Sequence, residues 1–336
     1  MSGLREGLVV WRIFVSPKHR GMFAPPLGVT KCHPLAKLTS TGDGLCQASL
    51  LVHVRNALDV PEEPPSDIDA KLECSKRLLA AVDKFCFSRH WMMHVGPSKG
   101  EILTRSLIEA VNRKLDRMGV CVPTQFVVLE LGAYCGYSAI LMARALLETM
   151  KQRDTLKGHV FTTEINPESM RVANTLVRMS GLGDMISINQ IYFNGVETNV
   201  VQVARESMHR YETKEIDFLF IDHDKVRRHD QLYHFRFGSL PASNSLAHQD
   251  SYLPDLQKME RSGLLKKNTR VVADNVVFAQ ISDYTEYVQQ RQRDGVVTTQ
   301  TVVCSVEYSS TERNTDQEDH DSFRDGVGEF TFLPSG

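Results

Sequence analysis

The chain lacks most of the features that would class it at a glance. No apolar run is long enough to cross a bilayer; LVVWRIFV near the start is short and is broken by Arg12. Neither sign of charge dominates: 39 Lys and Arg oppose 41 Asp and Glu, for a formal net charge of −2. That balance excludes nucleic acid as a bulk electrostatic partner. Cysteine is sparse and odd in number, seven in 336 residues, scattered and without C-x-x-C spacing. A disulfide framework and a cysteine zinc set are therefore both excluded, and free thiols in a reducing compartment are the economical reading. The G-x-G-x-x-G of a dinucleotide pyrophosphate site is also missing, which disfavours a nicotinamide dehydrogenase. No internal repeat is visible.

What is present is the composition of an ordinary globular protein, 42% apolar and 24% charged. The most informative stretch is VVLELGAYCGYSAIL (127–141). An apolar run reads as a buried strand, stops at Gly132, and passes through Gly136 into helical spacing from Ser138. Strand, glycine turn and helix open an α/β nucleotide-binding fold. Gly132 and Gly136 let the backbone turn sharply and approach a ligand, and the helix start offers N–H groups and a positive dipole end. The G-x-x-x-G spacing favours a ligand carboxylate over a pyrophosphate. A tight turn that merely packs helix on strand is the alternative.

Residues 1–41 are basic and poor in acids, with Pro25, Pro26 and Pro34 interrupting any regular element. They read as a disordered extension or a targeting segment. The remainder, 42–336, reads as a single domain. Helices are predicted over 46–59, 68–91 (capped by Ser66 or Asp67) and 92–118, the last after a glycine-containing turn. Strands at 127–131, 159–164, 185–191, 215–222 and 269–276 then alternate with helices at 138–146, 167–180 (capped by Asn166), 194–211, 254–262 and 283–290. A closing antiparallel pair, 297–308 and 326–333, completes the pattern. The expected fold is α/β: a Rossmann-like, seven-stranded, mostly parallel sheet with one antiparallel edge strand, helices on both faces and extra N-terminal helices. Two segments break the alternation: an insertion at 226–251, rich in His, Arg and aromatics, and the polar, acidic stretch 309–325.

In such sheets ligands bind outside the carboxyl ends of the strands. Acids fall at several of those ends: Glu130, Glu164, Asp222, and Asp274 followed by Asn275. Any one of them alone reads as a helix cap or a solvated side chain. Glu164 is placed to accept hydrogen bonds from a ribose diol. Asp222, Asp274 and Asn275 make an all-oxygen set suited to a hard divalent ion such as Mg²⁺. Lys225, in D-H-D-K, stands where it could take a proton from a metal-bound hydroxyl; without the metal set it is an exposed loop lysine.

Taken together, WMMHVGPSKG (91–100), ELGAYCGYSA (130–139), EINP (164–167), IDHDK (221–225), YLPD (252–255), GLL (263–265), ADN (273–275) and VEY (306–308) resemble the catechol O-methyltransferase family, in order. The resemblance runs from about Gly42 to Phe332, leaving out the N-terminus and the insertion. It implies a class I methyltransferase that uses S-adenosylmethionine and Mg²⁺ on a small catechol-like acceptor. By matching motif, Asp222, Asp274 and Asn275 would bind Mg²⁺, Lys225 would be the general base, and Glu307 would hydrogen-bond the second catechol hydroxyl. Glu164 would hold the ribose; Val95, Tyr134 and Ser138 the methionine portion; His223 would lie near adenine, with Glu130, Gly132 and Asp222 in the same cleft. Trp91 and Met93 would line the pocket mouth and the methyl-donor site, and Asp222, Lys225, Asn275 and Glu307 would complete the acceptor site.

Three positions depart from the family pattern. The tryptophan of D-H-x-K is Asp224, the proline after ADN is replaced around Phe278–Ala279, and the Ser–Gln pair after strand three falls near Phe193–Asn194. The competing readings are a different acceptor, selected by these changes and the insertion, and a cofactor-binding regulatory protein without turnover. The expected compartment is the cytoplasm, or the mitochondrion if 1–41 are a transit peptide. The resemblance implies a monomer, with no nucleic-acid partner and no membrane span.

Overall fold

The computed structural model describes residues 43–58, 65–119, 121–192, 199–213, 215–223, 252–277, 281–305, 307–308 and 324–333. The N-terminal extension, the insertion at 226–251 and nearly all of the 309–325 stretch lie outside them. The elements in chain order are α1 (Asp43–Ala57), α2 (Ile68–Ser88), α3 (Gly96–Met118), β1 (Thr124–Leu131), α4 (Tyr137–Gln152), β2 (Leu156–Glu164), α5 (Pro167–Met179) and β3 (Ile186–Gln190). They continue with α6 (Val200–Arg210), β4 (Phe218–Ile221), α7 (Tyr252–Arg261), β5 (Arg270–Ala273), α8 (Ser282–Arg293), β6 (Val297–Ser305) and β7 (Arg324–Phe332).

The strands form one seven-stranded sheet in the order β3-β2-β1-β4-β5-β7-β6. β1 to β5 are parallel throughout. The closing antiparallel pair is present, and its reversed strand is β7, which lies one place in from the edge, between β5 and β6. Sequence order reverses between β1 and β4, which makes their carboxyl ends the switch point where such sheets bind ligands.

Alternation along each strand feeds two cores. Phe126 and Val128 of β1 join Val160, Phe218, Phe220 and Val272 on one face, covered by α1 to α5. Val127, Leu129 and Leu131 join Leu219, Ile221 and Val271 on the other, covered by α6 to α8. Each fully buried side chain of this kind contributes about 1.5–3 kcal/mol. The same period-2 phase puts Glu130 on the face of Val128, among apolar helices.

Local chemistry explains the element limits. Asp67 caps α2 by accepting from Ala70 N, and Asn166 caps α5 by accepting from Glu168 N and Ser169 N. α2 ends at Ser88 rather than at residue 91, because Arg89 leaves helical dihedrals (φ −126°, ψ −58°). α4 runs on to Gln152, since Leu147–Gln152 are good helix formers whose apolar phase had faded. β4 and β5 are each four residues long, shorter than their apolar runs implied.

Candidate active site

The turn after β1 holds three residues at positive φ: Gly132 (102°), Tyr134 (44°) and Gly136 (85°). Gly132 has no room for a side chain, because a Cβ there would lie 2.4 Å from the Asp222 carbonyl oxygen. The backbones after β1 and β4 therefore pass in direct contact. Gly132 N and Ala133 N both donate to Thr163 O, at 3.0 and 2.9 Å. The Glu164 carboxylate is clamped by two backbone donors, with Oε2 accepting from Tyr134 N and Oε1 from Asn166 N, each at 2.7 Å. Capping of α5 falls to Asn166, so Glu164 is not its cap.

Glu130 is fully buried, with the Ser138 and Thr162 hydroxyls beside its carboxylate. Burial raises its pKa to about 7, against the opposing effect of the Ser138 and Thr162 hydroxyls. Nearby, burial lowers the pKa of His94 to about 3, so its ring is neutral. That ring stacks on Tyr137 at 5.5 Å and meets Tyr134 at 5.2 Å.

A second cluster forms where strand ends meet. β6 runs in the same direction as β5, so the segment after it, with Glu307, reaches the same rim. β7 is reversed, so its beginning, with Asp325, also lies there. Asp274 follows β5 directly. The carboxylates of Asp274, Glu307 and Asp325 come within 4.8 Å of one another. Lys99, from the first turn of α3, reaches all three from below. Its Nζ donates to Asp274 Oδ2 at 3.2 Å, to Asp325 Oδ2 at 2.5 Å and to Glu307 Oε1. Burial alone would lower the Lys99 pKa, but the three carboxylates outweigh it and hold the ammonium well above its ordinary range. Burial pushes Glu307 up to about 7, against the pull of Lys99.

Asn275 sits beside this cluster in a left-handed conformation, φ 56°, which Asn tolerates better than most residues. Its Nδ2 donates to Glu307 Oε1 at 3.1 Å and to Asp325 Oδ2 at 2.7 Å. Asp274 Oδ1 is buried, lies 2.9 Å from Lys99 Nζ, and makes no hydrogen bond. Asp222 stands one step beyond the Ile221–Ala273 register pair, as Asp274 does on the neighbouring strand. Two carboxylates and an amide, Asp222, Asp274 and Asn275, are the all-oxygen donor set that a hard divalent ion takes.

Other expected residues fall around the same rim. Trp91 donates its Nε1–H to the Glu307 carbonyl at 2.8 Å. Val95 is buried at the start of α3, and Met93 is exposed. His223 Nε2 is 3.1 Å from Asp255 Oδ2. Burial would raise the Asp255 pKa, but His223 and Lys258 hold it below the usual range. Lys225 and the three departures at Asp224, Phe193–Asn194 and Phe278–Ala279 lie outside the described residues. Lys99, Asp325 and His94 are additions that the sequence reading missed. Lys99 carried a legible signal, because it falls on the apolar stripe of α3 with Ile102, Leu103, Ser106 and Leu107. A charge at that phase needs a buried counter-charge. No signal of that kind marked Asp325.

The chain is 30% identical over 216 residues to a catechol O-methyltransferase of Bos taurus, a match that covers 64% of this chain and 60% of the relative. It is 31% identical over 212 residues to that of Mus musculus, covering 63% and 60% respectively. The match thus spans less than two thirds of either relative's length. A solved O-methyltransferase from Bacillus cereus aligns over 85% of this chain and 99% of its own at 17% identity, with a TM-score of 0.42. A family model described as O-methyltransferase matches residues 77–285, which hold the Gly132–Gly136 turn, Glu130, Glu164, Asp222 and the Asp274–Asn275 pair. On that match the chain belongs to the O-methyltransferase family.

Proposed function

We propose that the chain transfers a methyl group from S-adenosylmethionine to one hydroxyl of a small catechol-like diol, with one Mg²⁺ at the rim. The observation that carries this reading is the Asp274–Asn275 corner. Asp222 and Asp274 each follow directly on neighbouring parallel strands, and Asn275 is next in the chain, with its Nδ2 donating to Glu307 and Asp325. Asp222, Asp274 and Asn275 would hold the ion. When bound, Mg²⁺ lowers the pKa of a chelated hydroxyl and fixes both oxygens of a diol.

The chain's own residues then divide the work. Lys225 Nζ accepts the proton of the attacking hydroxyl. Glu307 accepts a hydrogen bond from the second hydroxyl, and Trp91 holds its backbone in place. The donor lies along the β1–β2 end of the rim. There Glu164, held by two backbone N–H groups, accepts from the ribose diol, and Glu130 faces the cationic methionine portion. Val95, Tyr134 and Ser138 line this portion, His223 lies near adenine, and Trp91 and Met93 form the mouth. The carbon–sulfur bond breaks as the carbon–oxygen bond forms, so the catalysis is orientation plus proton removal.

The test is calorimetric titration with S-adenosylmethionine, followed by a methyl-transfer assay on catechol. The reading expects donor binding in wild type and in Asp274→Ala, with transfer lost only in the variant. Wild type that binds the donor but methylates no diol would refute the acceptor. Wild type that binds no donor would refute the activity.

A further inference from the structure

The Asp274–Glu307–Asp325 cage is built on the scale of a divalent ion site, and a lysine fills it. We propose that Lys99 is a positioning residue that serves as the resident cation of this cage: its ammonium occupies the place a second divalent ion would take, and so confines metal binding to the outer rim. The inference rests on the reading of that rim as a divalent-ion site.

The geometry supports it in three ways. An ammonium has three N–H donors and no acceptor, and each carboxylate of the cage takes one of them. The carboxylates come from three separate places in the chain, after β5, after β6 and at the start of β7, and a cation between them offsets their repulsion. Lys99 is 1% exposed and Asp325 is fully buried, so in wild type the cage is closed to bulk solvent and the lysine is its resident charge. Asp274 belongs to both sites. Both its oxygens face the Lys99 ammonium, Oδ1 at 2.9 Å and Oδ2 at 3.2 Å, while its place directly after β5 puts it at the rim. Asn275 adds its own N–H donors to the cage, to Glu307 Oε1 and Asp325 Oδ2. Lys99 thus holds Glu307 and Asp274 from the buried side, which leaves the rim beyond them as the place for an ion.

The experiment counts bound Mn²⁺ by calorimetry and electron paramagnetic resonance in the full chain, without methyl donor or acceptor. Wild type, Lys99→Met and Lys99→Met/Asp325→Asn are compared. Methionine keeps the length of the stem and removes the charge. The expected result is one more ion in Lys99→Met than in wild type, and loss of that extra ion in the double variant, which lacks a cage carboxylate. A Lys99→Met chain that folds only with Mn²⁺ present gives the same answer through its stability. An unchanged ion count, or a variant that no divalent ion stabilises, overturns the proposal. Because the measure is the gain over wild type, failure of the catechol reading leaves the result unaffected.

Discussion

Glu130→Gln isolates the cost of a buried charge. Burial of the Glu130 carboxyl raises its pKa from 4.5 to about 7, against the Ser138 and Thr162 hydroxyls. A carboxyl whose folded pKa is raised binds its proton more tightly in the folded chain. Folding is therefore favoured below the unfolded pKa, and that contribution is lost as pH rises from about 4.5 through about 7. The rise corresponds to roughly 3 kcal/mol. Glutamine is neutral at every pH and matches the protonated acid in shape. The variant should equal wild type within about 1 kcal/mol at pH 5 and exceed it by roughly 3 kcal/mol at pH 8.5. Urea unfolding at the two pH values reads this as a difference of differences, so other titrating groups cancel. Ligand binding gives a second reading. A cationic donor beside Glu130 favours the ionised form, so wild type should release a proton on binding at pH 7 and the variant should not. Titration in buffers of different ionisation enthalpy measures that proton. A stability difference that is flat from pH 5 to 8.5 would refute the reasoning.

Three further outcomes follow from the geometry. Gly132→Ala puts a Cβ against the Asp222 carbonyl at φ 102° and should cost roughly 3 kcal/mol by urea unfolding, together with weakened donor binding. Trp91→Phe removes the donor to Glu307 O, worth about 1 kcal/mol, and should lower kcat/KM for the acceptor roughly fivefold while the donor Kd stays unchanged. Asn166→Ala removes the α5 cap and should cost about 1 kcal/mol in thermal or urea unfolding.

The local parts of the fold were open to reading because they are written locally. The apolar run at Val127–Leu131, the glycines of the turn and the caps Asp67 and Asn166 each carry their structure within a few residues. Strand-end acids Glu130, Glu164, Asp222 and Asp274 followed from the alternation, since a parallel sheet puts all its carboxyl ends on one rim. What could not be read depends on pairing between distant segments. Nothing local says that β7 inserts between β5 and β6, and only that insertion carries Asp325 to Lys99. Glu307 was expected at the site by resemblance, but its bond to Trp91 and its place in a cage depend on the same strand order. Lys99 was legible in principle through its phase on α3; its three partners were not.

The central claim is that two adjacent acceptor hydroxyls are needed because both are held at a metal site built on Asp274 and Asn275. The most direct test compares methyl transfer to catechol and to phenol, each with and without Mg²⁺. The account predicts transfer to catechol only when Mg²⁺ is present, and none to phenol in either condition. Equal transfer to phenol, or catechol turnover that survives removal of the metal, would contradict it.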